Sequence, residues 1–68
     1  MTSRIHMDIM LNNGIVIRTE TITINCHPET YLETQLNGPW WTVKLVNGKL
    51  RTLKTSDIYT IETSIYKD

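Results

Sequence analysis

Apolar and polar residues alternate along the first stretch of the chain. Ile5, Met7, Ile9 and Leu11 are separated by His6, Asp8 and Met10, which is the period of a strand with one buried face. Asn12-Asn13-Gly14 follows. A three-residue loop ending in glycine predicts a type I turn closed by a G1 bulge, with Gly14 in the left-handed region. That turn sets Leu11 opposite Ile15 and Ile9 opposite Ile17, so apolar residues meet apolar residues. Beyond Arg18 the phase changes, because Ile22 and Ile24 sit on the other parity. A bulge or strong coil within 18–21 reconciles the two halves, as in small barrels where one bent strand serves two sheets.

Residues 25–38 carry two patterns. Pro28 near the start, Glu29 in the first turn and Gly38-Pro39 at the end are helix punctuation, and Leu32 and Leu36 are spaced as on one helix face. Thr30, Leu32, Thr34 and Leu36 also alternate with Tyr31, Glu33 and Gln35, as in a strand. One short helix over 28–36 is the working expectation, with a strand as the alternative.

A second hairpin is the clearest element. Asn47-Gly48 predicts a two-residue type I′ turn, which needs positive φ at both positions. That register pairs Val46 with Lys49, Leu45 with Leu50, Lys44 with Arg51, Val43 with Thr52, Thr42 with Leu53, Trp41 with Lys54 and Trp40 with Thr55. One face then carries Trp41, Val43, Leu45 and Leu50. The other carries Trp40, Thr42, Lys44, Lys49 and Arg51, with Val46 and Leu53 as exceptions. The two turns echo each other, since "IMLNNGIVIRT" and "VKLVNGKLRTL" share a hydrophobic-x-Leu-x-Asn-Gly core; two hairpins with Asn-Gly turns give such a match by convergence. Ser56-Asp57 reads as a cap opening a single 3₁₀ turn. A last strand is expected from Tyr59 to about Tyr66, and Lys67-Asp68 as a frayed tail. The expected core is Trp41 with Ile5, Ile9, Ile17, Val43, Leu45, Leu50, Ile58 and Ile61.

At 68 residues the chain is one domain, spanning 1–68. A chain this short buries only about 60% of its unfolded surface, too little for a large core, a nucleotide-sized cavity and a catalytic apparatus together. Thr, Ile and Val abound and Ala is absent, which favours strands over a helical bundle. The formal net charge is zero, so the global excess of Lys and Arg that marks a basic nucleic-acid binder is missing. The single cysteine, Cys26, forms no internal disulfide and fits a reducing, cytoplasmic home. No run approaches a membrane span, and no signal-peptide pattern is visible at the N-terminus.

The run "WWTVKLVNGKLRTLKTSDIYTIE" resembles the second half of SH3-like, Tudor-like and Sm-like small barrels: an aromatic strand start, a tight hairpin with Gly, a polar strand, a one-turn 3₁₀ plug and a final short strand. The likeness covers about a third of the chain. It implies a mainly β fold, a small barrel or roll of five to six antiparallel strands. No aromatic cage or Pro-rich-ligand set is recognisable, so no site residues carry over. The short length, the Asn and Thr richness and the lack of Ala also resemble a small phage or prophage reading frame.

Cys26 and His27 are the candidates for nucleophilic chemistry, with His6 elsewhere. Neighbours in an extended chain rarely reach one another, and no phosphate-cradling glycine loop or Ser-containing elbow accompanies them. The simpler reading makes Cys26 a small buried apolar residue and His27 a loop residue beside Pro28. His6, Asp8, Cys26, His27 and Glu29 lack the paired spacing of a structural zinc site, so no metal and no cofactor is expected. Neither is an enzymatic activity.

The basic hairpin face holds more. Lys44, Lys49, Arg51 and Lys54 fall in a segment without a single acid, with Trp40 beside them. Exposed Trp and Tyr with Arg make up the composition of protein-interface hot spots. A cationic ridge beside a flat aromatic also suits phosphate tracking and base stacking. The plain alternative is a solvated outer face. Docking onto a protein partner, or onto a second copy of the chain through this face or an edge strand, is the leading expectation. A nucleic-acid-binding small barrel using Trp40, Lys44, Lys49, Arg51 and Lys54 is the alternative, with no membrane and no small-molecule substrate.

Overall fold

The computed structural model describes residues 2–66; the frayed-tail expectation for Lys67-Asp68 lies outside the described residues. The elements are β1 (Ser3–Leu11), β2 (Val16–Arg18), β3 (Ile22–Ile24), α1 (Pro28–Leu36), β4 (Trp40–Lys44), β5 (Leu50–Lys54), a 3₁₀ turn (Thr55–Asp57) and β6 (Ile58–Tyr66). The fold is therefore mainly β with one short helix. β1 is the centre of one antiparallel sheet, with β2 and β3 along one edge and β6 along the other; β4 and β5 form a second sheet.

The first turn forms as its sequence predicts. Ile9 faces Ile17, the Leu11 N–H donates to the Ile15 carbonyl at 2.8 Å, and Gly14 has φ +87°. The phase change beyond Arg18 is a bulge. Asp8 faces Arg18 but Ile5 faces Ile22, so one extra residue is accommodated between the two ladders. Thr19 holds this kink from inside. It is 3% exposed, its N–H donates to the Met7 carbonyl, and its Oγ1 accepts the Met7 N–H at 2.9 Å. A buried N–H without a partner costs about 1–3 kcal/mol, which explains a hydroxyl at an otherwise apolar position. The kinked chain also reaches the second sheet: Thr19 bridges to Leu45, and the Glu20 N–H donates to the Lys44 carbonyl at 3.0 Å.

Residues 28–36 are helix. Pro28 stands at the start, and the His27 Nδ1 accepts the Glu29 N–H. Pro28 is buried and Tyr31, Leu32 and Gln35 are half-buried, the spacing of one helix face. A strand would have turned Tyr31 and Leu32 to opposite sides. Tyr31 and Leu32 lie against the core, and burial pushes the Tyr31 phenol above its ordinary value.

Ile5, Met7 and Ile9 are fully buried, joined by Leu11, Ile17, Ile24, Trp41, Val43 and Leu53. Leu45, Ile58 and Ile61 are partly buried against this cluster. One expected core residue does not belong to it. Leu50 is 70% exposed, and Leu53 takes the inner position at 4%.

The second turn accounts for that exchange. Its loop has three residues, not two. The Leu45 N–H donates to the Lys49 carbonyl at 2.8 Å, the Gly48 N–H to the Leu45 carbonyl at 2.9 Å, and the Asn47 Oδ1 accepts the Lys49 N–H. Only Gly48 has positive φ here, so Asn47 is not in the conformation a type I′ turn requires. The loop repeats the first one, where Asn13 Oδ1 accepts the Ile15 N–H. One extra loop residue shifts β5 by one position and exchanges its faces. Trp41 then faces Leu53 and Val43 faces Arg51. The two-residue turn would have set Lys54 against Trp41, placing an ammonium beside the core. Either turn leaves one leucine in water, Leu53 with two loop residues and Leu50 with three, and the three-residue turn keeps the ammonium away from Trp41.

Candidate docking face

The outer side of the β4–β5 hairpin is built by this register. Trp40 faces Lys54, Thr42 faces Thr52 and Lys44 faces Leu50, and residues directly opposite in an antiparallel pair share a face. The two threonine hydroxyls meet at 2.9 Å in the middle of the face. Trp40 is 60% exposed at one end and Leu50 70% at the other, with Val46 exposed in the turn beyond it. The Lys44 ammonium reaches Glu20 at 3.6 Å. The result is a ribbon with an aromatic end, a hydroxyl centre and an aliphatic end, flanked by two lysines.

The five residues singled out in the sequence do not all meet here. Trp40, Lys44 and Lys54 share the face. Arg51 stands opposite Val43 on the other side of the ribbon, and Lys49, two residues before it, has the same parity. The Lys44–Arg51 pairing is replaced by Lys44–Leu50 and Val43–Arg51, which separates the charges. Leu50 is the member that sequence reasoning missed. The signal lay in the echo between the two turns: "LNNGI" and "LVNGK" match in their Leu-x-Asn-Gly frame, and both fold as the same loop.

The other candidate groups are spread out. Cys26 is exposed, not the buried apolar residue expected. His27 serves as the helix cap. His6 pairs with the Tyr66 hydroxyl, and the rings of the two lie 5.4 Å apart. Asp8 accepts from the Arg18 Nε at 2.8 Å, and that hydrogen bond holds its carboxyl below the usual range. Among the described residues no group of three or more His, Cys, Asp and Glu side chains is placed to hold a metal ion. A shallow depression of about 440 Å³ on the outside of the first sheet is lined by Asp8, Met10, Val16, Arg18, Thr60 and Glu62; its charged groups include the Arg18–Asp8 pair. Among the described residues, no helix is long and apolar enough to cross a membrane.

The class these features define is a small β-rich domain of two antiparallel sheets and one helix, with an exposed aromatic hairpin face. Comparison with known protein families, with curated proteins and with solved structures finds no match.

Proposed function

We propose that this chain is a non-enzymatic binding module that docks onto a protein partner through the outer face of β4–β5. The observation that carries the reading is the exposure of Trp40 and Leu50 on one face. Two large apolar groups bracketing a hydrogen-bonded threonine pair offer anchors with a polar centre, the mixture found in protein interfaces. Lys44 and Lys54 at the margins favour a partner with an apolar cleft and an acidic rim. The frame beneath is read as an SH3-like or Sm-like roll, on the element order, the bend at Thr19 that serves both sheets, and the 3₁₀ turn before the last strand. A lone exposed thiol at Cys26 suits a reducing compartment such as the cytoplasm.

The nucleic-acid alternative loses support from the register. A phosphate track needs its cations in a row, and with Arg51 and Lys49 turned away only Lys54 stands beside Trp40, while Lys44 lies at the far end of the face, close to Glu20. Photo-crosslinking separates the readings. In the cells that make the protein, the variants Trp40→benzoylphenylalanine and Leu50→benzoylphenylalanine are expected to trap the same partner, and Arg51→benzoylphenylalanine to trap none. Trp40→Ala is expected to weaken capture of that partner about thirtyfold, which corresponds to the ~2 kcal/mol of an interface anchor. Equal trapping at all three positions, or salt-sensitive quenching of tryptophan fluorescence by oligonucleotides without any protein adduct, contradicts docking by this face.

A further inference from the structure

The two sheets end in edges of different character. The β5 edge carries Arg51 and Lys54, with Lys49 just before them, and lysines on an edge discourage strand addition. β6 is nine residues long, pairs only with β1 among the described residues, and contains one charged residue, Glu62, and no proline. Its Ile61 and Ile65 lie in the same rows as the buried Ile9 and Ile5, yet Ile65 is 57% exposed. The core side of β6 is thus incompletely covered.

The backbone decides what this edge accepts. Met7 exchanges hydrogen bonds with Thr19, and Leu11 donates to Ile15, so the odd residues of β1 face β2 and β3. Its even residues therefore face β6, and they are paired with Thr60, Glu62, Ser64 and Tyr66. Ile61, Thr63 and Ile65 must direct their N–H and C=O groups outward. The register between β1 and β6 shifts at Met10/Leu11, which leaves Tyr59 as the extra residue and Thr60–Tyr66 as the regular stretch.

We infer that β6 pairs with β6 of a second copy, antiparallel, about a two-fold axis at Thr63. This surface is distinct from the β4–β5 face and does not rest on the docking reading. Outward groups must oppose outward groups, so only alternate registers are allowed. An axis at Glu62 sets two like carboxylates directly opposite, which is destabilising. An axis at Ser64 shortens the overlap. The axis at Thr63 is the midpoint of the regular stretch and uses all of it. It places Ile61 against the second copy's Ile65 on the core side and Glu62 against its Ser64 on the outer side. A closed dimer also consumes the edge and ends further strand addition.

Light scattering on the purified chain is expected to give twice the 7.9 kDa chain mass. Ile65→Lys and Thr63→Pro are expected to halve that mass with the circular dichroism of the fold retained, since Ile65 is exposed and the Thr63 N–H points away from β1. Trp40→Ala is expected to leave the mass unchanged. In a Cys26→Ser background, Thr63→Cys is expected to form a covalent dimer on mild oxidation faster than Glu62→Cys or Ser64→Cys. Facing hydrogen-bonded residues lie about 5.5 Å apart at Cα, within the roughly 4.4–6.8 Å a disulfide spans. A monomeric wild type overturns the inference. So does a dimer that survives both β6 variants, one that dissociates with Trp40→Ala, or fastest crosslinking away from Thr63.

Discussion

Trp41→Ala is expected to unfold the domain, and Trp40→Ala to leave it folded. Trp41 is 4% exposed, lies in the core cluster with Val43 and Leu53, and has Tyr31 packed against that cluster. Removing a buried tryptophan costs about 3–5 kcal/mol, through lost apolar burial and the cavity left behind. Native proteins hold only about 5–15 kcal/mol in total, and a chain of 68 residues falls toward the lower end. Trp40 is 60% exposed, so its truncation removes little that folding had buried, and a change within about 0.5 kcal/mol is expected. Urea unfolding of the two variants checks the pair. A larger loss for Trp40→Ala than for Trp41→Ala would reverse the two faces of β4.

Leu53→Ala and Leu50→Ala form the matching pair on β5. The first is expected to cost about 2–5 kcal/mol, because Leu53 fills the space opposite Trp41. The second is expected to change stability by about 0.5 kcal/mol or less, because Leu50 is 70% exposed. The comparison is sensitive to the turn itself. With a two-residue turn the costs would exchange, since Leu50 would move inward and Leu53 outward. Chemical denaturation midpoints of the two variants, measured at constant slope, read this directly.

Much of this frame is legible in the residue pattern alone. The alternation through Leu11 and the Asn-Asn-Gly turn specify the first hairpin, because the period of two and one glycine in the left-handed region leave little freedom. The reversal of phase beyond Arg18 requires an irregularity, and the bulge beside Thr19 supplies it. The division between Trp41 and Trp40 is legible because adjacent strand residues cannot share a face. The two-residue reading of Asn47-Gly48 fails because the dipeptide is compatible with both loops. What discriminates them is long-range: whether Leu53 or Lys54 meets Trp41. Residues 28–36 are ambiguous for a related reason. Their apolar spacing fits both periods, and the cap at His27 and the packing of Tyr31 and Leu32 on the core select the helix. Of the candidate site, the pattern places Trp40 and Lys44 on one face, but its register sets Lys54 against Trp41, whereas Lys54 stands opposite Trp40. It misses Leu50 and includes Lys49 and Arg51, all from the same single-residue shift.

The docking reading depends on which residues share a face with Trp40, and one measurement reads that without a partner in hand. Leu45 and Lys49 form a hydrogen-bonded pair, so Lys44 and Leu50, Thr42 and Thr52, and Trp40 and Lys54 are the closely spaced non-hydrogen-bonded pairs. Nuclear Overhauser spectra of the protein are expected to show strong Hα–Hα contacts between Thr42 and Thr52, and between Lys44 and Leu50. Strong Hα–Hα contacts between Leu45 and Leu50, or between Val43 and Thr52, are those of the two-residue turn; they would return Arg51 to the Trp40 face and contradict the account.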